Sequence, residues 1–74
     1  MANNYSTLYS TLEDAKLVAA GNGSARKQLV KEGVNWVIVA EIHPEGNKFK
    51  IIAVTVSRRD SFVPTPNKYI VREG

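Results

Sequence analysis

Val34-Asn35-Trp36-Val37-Ile38-Val39-Ala40-Glu41-Ile42, then His43-Pro44-Glu45-Gly46-Asn47, then Lys48-Phe49-Lys50-Ile51-Ile52-Ala53-Val54-Thr55-Val56-Ser57: these residues, 34–57, decide the fold. The two outer runs are rich in β-branched and aromatic side chains, which suit a pleated, half-buried surface. The middle five residues hold Pro and Gly, the residues that turns use. Two such runs around a short turn predict an antiparallel hairpin. In the first run Val34, Trp36, Ile38, Ala40 and Ile42 alternate with Asn35, Val37, Val39 and Glu41. In the second, Phe49, Ile51, Ala53 and Thr55 alternate with Lys50, Ile52, Val54 and Val56.

Both faces of this hairpin are apolar at the middle. One face can meet helices, and the other needs a cover too. Tyr5, Leu8, Tyr9, Phe62 and Tyr69 can supply it from within the chain. The other ways to cover it are a second copy, giving a homodimer through this second apolar face, or a protein partner.

Upstream, residues 12–20 read as a helix. Ser10 with Glu13, or Thr11 with Asp14, fits a capping box, and Gly21 is expected to end it in a left-handed conformation. Residues 24–32 read as a second short helix, capped by Ser24 and ended by Gly33. Asn3 to Ser10 reads as a short edge strand or an extended arm. Downstream, Arg58 to Asn67 is a loop whose Pro64 and Pro66 enforce an extended path. Lys68 to Arg72 is expected as a last strand at an edge. The fold class that follows is α+β: two short helices packed on a three-stranded antiparallel β-meander, with a short N-terminal edge strand. One domain is expected over 1–74, with an arm over 1–10, a helical part over 11–33 and the meander over 34–72.

Composition narrows the chemistry. The 74 residues carry 10 Lys+Arg, 7 Asp+Glu, one His and no Cys, for a net charge of +3. Thiolate metal sites, disulfides and cysteine nucleophiles are therefore excluded. A lone His43 in a turn, with no base beside a nucleophile, points away from catalysis. No cofactor or metal is expected. No stretch is long and apolar enough to span a membrane, and no secretory pattern is visible, so a cytoplasmic location is expected.

Three groups of residues are candidates for binding. Gly21, Gly23 and Ser24, ahead of Arg26, Lys27 and Lys31, have the makings of an anion nest at a helix start. Arg58 and Arg59, with Lys48 and Lys50, suggest a basic rim on the sheet. Trp36 and Tyr69 are the candidate anchors for a partner. The order of two helices and a hairpin is similar to a winged helix-turn-helix, which implies phosphate contacts from Arg26, Lys27 and Lys31. In size and isolation the chain resembles stand-alone inhibitor or adaptor proteins of phages and other mobile elements. That resemblance implies a non-catalytic protein that docks on a protein partner. The alternative is a small basic nucleic-acid-binding domain.

Overall fold

A computed structural model describes residues 7–74. The elements are β1 (Leu8–Tyr9), α1 (Leu12–Ala20), α2 (Gly23–Glu32), β2 (Trp36–Glu45), β3 (Lys48–Arg58), a short 3-10 turn (Arg59–Ser61) and β4 (Lys68–Glu73). Tyr5 and the first part of the expected arm lie outside the described residues. The α+β class holds, with two helices and a four-stranded antiparallel sheet.

The helix boundaries follow from their caps. Thr11 Oγ1 accepts a hydrogen bond from the Asp14 N–H at 3.1 Å, so Thr11 caps α1 rather than Ser10. Asn22 Oδ1 accepts from the Ala25 N–H at 2.9 Å. Asn22, not Ser24, is therefore the cap of α2, and the helix begins one residue sooner. Gly21 is not left-handed, with φ −89° and ψ 4°. Its N–H still bonds to the Leu17 and Val18 carbonyls, so the chain leaves α1 tightly and enters α2 at once. Gly33, at φ 101°, ends α2 in a conformation that other residues rarely adopt.

The central hairpin is longer than its sequence suggests. β2 starts at Trp36 rather than Val34, because the Trp36 N–H turns back to the Gly33 carbonyl. It then runs through His43 and Pro44, and Glu45 pairs with Lys48. The expected five-residue turn shrinks to Gly46 and Asn47, with Gly46 at φ 64° as a two-residue hairpin turn requires. Pro44 is tolerated because its ring nitrogen points to the side where β4 has already ended. The Ile42 N–H, two residues earlier on that side, bonds to Asn67 O.

A β-bulge reassigns one strand. Glu41 pairs with Ala53, but Ile42 pairs with Ile51, so Ile52 is an extra residue in β3. Alternation therefore changes phase at Ile52. Phe49 and Ile51 face the helices before the bulge, and Val54 and Val56 face them after it. Ala53, Thr55 and Ser57 turn to the other face. The straight alternation that placed Ala53 with Ile51, and Val54 with Lys50, is corrected by this one inserted residue.

The strand order is β1-β3-β2-β4, so the expected meander is also corrected. β4 pairs with β2, not with β3. The connection from β3 must pass over β2, a lateral step of about 10 Å for two strand spacings. It takes the face away from the helices. There Ser61, Phe62 and Val63 line a cleft of about 290 Å³ with Val39, Thr55 and Ser57. This loop is the cover that the second apolar face needs, and Val37 and Val39 are buried. β1 is the short edge strand that was expected, pairing Leu8 with Lys50 and Tyr9 with Phe49.

The helix-side core has two parts. Ala15 and Ala19 of α1 meet Ala40, Ile42 and Ile51. Alanine on both sides lets the helix approach the sheet closely. Ala25 and Leu29 of α2 meet Ile38, with Trp36, Val54 and Val56 around them. Among the described residues no buried side-chain polar atom lacks a partner.

Candidate docking surface

The structure separates the candidate residues. Lys48 and Lys50 open β3, whereas Arg58 closes it, ten residues further along. At about 3.3 Å per residue Arg58 is roughly 33 Å from Lys48 and roughly 26 Å from Lys50, too far to form one rim. Both arginines are also engaged within the chain. Arg58 Nη2 lies 3.4 Å from Asp60 Oδ2, and Arg59 Nη2 donates to Glu73 Oε1 at 3.0 Å. That hydrogen bond, and then the charge behind it, holds the Glu73 carboxyl below the usual glutamate range.

Trp36 and Tyr69 face the helices and are half-buried. Trp36 packs on the α2 cluster and Tyr69 on the α1 cluster. Lys16 Nζ sits 5.3 Å from the Tyr69 ring centroid, a cation–π distance. Neither aromatic ring lies on the loop-covered face, where partner docking was expected.

At the start of α2, Gly23 and Ser24 are exposed. Two of the early N–H groups are already used. Ala25 donates to the Asn22 side chain and Arg26 to the Asn22 carbonyl. His43 is exposed on β2 opposite Lys50. Among the described residues no group of three or more His, Asp or Glu is placed to hold a metal ion. No helix there is long and apolar enough to cross a membrane.

What the structure does bring together is the outer face of α2. Only Ala25 and Leu29 of this helix are buried. Val30, one residue past Leu29, is turned by about 100° and points away from the sheet. It is 84% exposed, and Val34 just beyond the helix is 75% exposed. Arg26, Val30, Val34 and Arg72 line a groove of about 280 Å³ that Leu29 and Gly74 help to close. Arg26, Lys27 and Val30 border a second depression on the same helix. Among the described residues Arg26, Lys27 and Lys31 make no ion pair. Arg72 is held in place by a hydrogen bond from its Nε to the Ala20 carbonyl at 3.2 Å.

The sequence pattern suggests Ala25, Leu29 and Val30 as one apolar side of α2, and Val34 as the first residue of a strand face shared with Trp36 and Ile38; in the structure Val30 and Val34 are both exposed. A buried stripe spaced by four, Ala25 then Leu29, was the signal that Val30 falls outside it. Arg72 had no local signal, since its partner at Ala20 is 52 residues away.

Comparisons with protein-family models, with curated proteins and with solved structures find no match.

Proposed function

We propose that this chain is a small non-catalytic protein that acts in the cytoplasm by docking on a protein partner, in the manner of a stand-alone inhibitor or adaptor. One observation carries the reading: two exposed valines, Val30 and Val34, line depressions on the outer face of α2 and its C-terminal end with Arg26, Lys27 and Arg72, and with Glu73 on the same rim; Lys31 follows Val30 on the helix. Exposed apolar side chains bordered mainly by cations fit a partner with an apolar contact inside an acidic rim. Burying each valine would contribute about 1.5–3 kcal/mol at most. The cations would set orientation and speed of encounter.

The same cations favour a second reading, phosphate contacts on a nucleic acid. The two differ in salt dependence and in what the valines do. Phosphate binding weakens steeply with salt. Contact through Val30 and Val34 persists at about 0.5 M salt, where exposed charges are screened within a few ångströms.

The test is affinity capture from source-cell lysate with the parent chain, Val30→Asp and Arg26→Ala/Lys27→Ala. Each capture is run with and without nuclease, at low and high salt. The docking reading expects one protein that survives nuclease and salt and is lost with Val30→Asp. It is overturned if capture disappears with nuclease, or if Val30→Asp retains the same protein.

A further inference from the structure

The two ends of the sheet differ. Among the described residues β1 covers only Phe49 and Lys50 of β3, whereas β4 is a six-residue strand with β2 on one side and no described strand on the other. Its ladder shows which backbone groups face outward. Ile42 N–H bonds to Asn67 O, and Gly74 N–H bonds to Trp36 O. Alternation between these two points turns Lys68 and Ile70 outward; the Lys68 N–H is already bonded to the Thr65 carbonyl at 3.2 Å, so at that position the carbonyl alone is left for pairing. A second bulge lies between them. Ile38 pairs with Arg72 and Val39 with Ile70, so Val71 is the extra residue and Glu73 is the next to face outward.

With Val71 and Arg72 counted as one position, the edge reads Lys, Tyr, Ile, Val-Arg, Glu. That pattern complements itself when reversed. If Ile70 of one copy lies opposite Ile70 of another, Lys68 falls opposite Glu73 and Tyr69 falls opposite the Val71–Arg72 bulge. The faces agree as well. Lys68 pairs with Glu41, Ile70 with Val39 and Glu73 with Val37, all on the loop-covered side. Tyr69 packs on the helix side, and Arg72 reaches α1 there. Without the bulge, Lys68 and Glu73 would lie on opposite faces and could not meet.

We propose that β4 is the edge through which two copies of this chain pair, antiparallel about a two-fold axis at Ile70, to form one continuous eight-stranded sheet. The occupant is a second copy because the charge order fits its own reverse: Glu73 accepts from Arg59 of its own chain through Oε1, which leaves its other oxygen for Lys68 of the second copy. Each copy supplies both a cation and an anion, and each Lys68–Glu73 contact occurs twice. The apolar row Val39–Ile70 continues into Ile70–Val39 of the second copy. The expected dimer through the whole sheet face is replaced by one through its edge, since the loop already covers that face. The proposal does not depend on the α2 docking surface.

The experiment is sedimentation velocity from about 1 μM to about 1 mM, a span from −8.2 to −4.1 kcal/mol in association free energy. The chains compared are the parent, Lys68→Glu, Glu73→Lys, and an equimolar mixture of the two variants. Both substituted positions, Lys68 and Glu73, are exposed, and circular dichroism checks that each variant remains folded. The parent is expected to shift from one-chain to two-chain mass within the range. Each single variant sets like charges opposite each other twice and is expected to weaken the dimer about tenfold or more. The mixture restores both opposite-charge pairs and is expected to regain two-chain mass as a heterodimer. One-chain mass for the parent at every concentration overturns the proposal. So does a dimer that both variants leave unchanged, or a mixture that stays at one-chain mass when the parent dimerises.

Discussion

Replacing Phe62 with Ala tests whether the β3–β4 loop is a structural cover. Phe62 is half-buried and lies with Ser61 and Val63 across the sheet face that holds Val37 and Val39. Truncating a fully buried Phe costs about 3–5 kcal/mol. A half-buried ring loses about half of that, so roughly 1.5–2.5 kcal/mol is expected. For a chain of this size each kcal/mol moves the melting temperature by about 4–8 °C, giving a fall of about 6–20 °C. Urea unfolding followed by Trp36 fluorescence measures the free energy, and calorimetry measures the melting temperature. Binding of an apolar dye should rise as Val39 becomes accessible. Val63→Ala is the control, because Val63 is 67% exposed and its loss should change stability by under about 0.5 kcal/mol. If Phe62→Ala costs no more than Val63→Ala, the loop does not seal that face and the reasoning fails.

Two other predictions follow from the packing and the ion pair. Ile38→Ala removes a fully buried side chain between α2 and the sheet and should cost about 2–5 kcal/mol in urea unfolding, whereas Val30→Asp, on the outside of the same helix, should leave stability within about 0.5 kcal/mol. Glu73 accepts from Arg59, so its folded pKa lies below its unfolded one. The stability it contributes is present above the unfolded value and is lost as pH falls through the lowered folded value. A carboxyl-carbon NMR titration should show Glu73 titrating low, and Arg59→Ala or high salt should return it toward the ordinary range. An unchanged midpoint in Arg59→Ala would count against the pair.

Much of the local structure is legible in the sequence. α1 spans Leu12–Ala20 as its stripe and first-turn carboxylates suggest. The hairpin is where the β-branched runs place it. Beyond its ends, where β2 starts two residues later and the turn is three residues shorter, the hairpin departs from straight alternation at Ile51-Ile52: Phe49 and Ile51 are in one phase and Val54 and Val56 in the other. The change of phase is visible in the letters once a bulge is admitted, because it puts Ala53, Thr55 and Ser57 together on the less apolar face. The β1-β3-β2-β4 order is different. Pro64 and Pro66 announce an extended path but not its destination. The candidate site suffered for the same reason. Arg59 meets Glu73 and Arg72 meets Ala20 only because β4 crosses to the far side of β2, a long-range fact that no local pattern carries.

The crossover also sets an order of assembly. β2 and β3 are joined by two residues, so their pairing closes a very short loop at little entropic cost. β4 has to find β2 from beyond the far end of β3, with a nine-residue connection laid across the sheet. Until β4 docks, that connection is held at its β3 end alone, and Val37 and Val39 lie bare to water on a twisted two-stranded ribbon. A ribbon of that kind is marginal by itself. The slow, non-local step is therefore the one that seals the back, and conditions that delay it prolong the exposure of the stickiest strands.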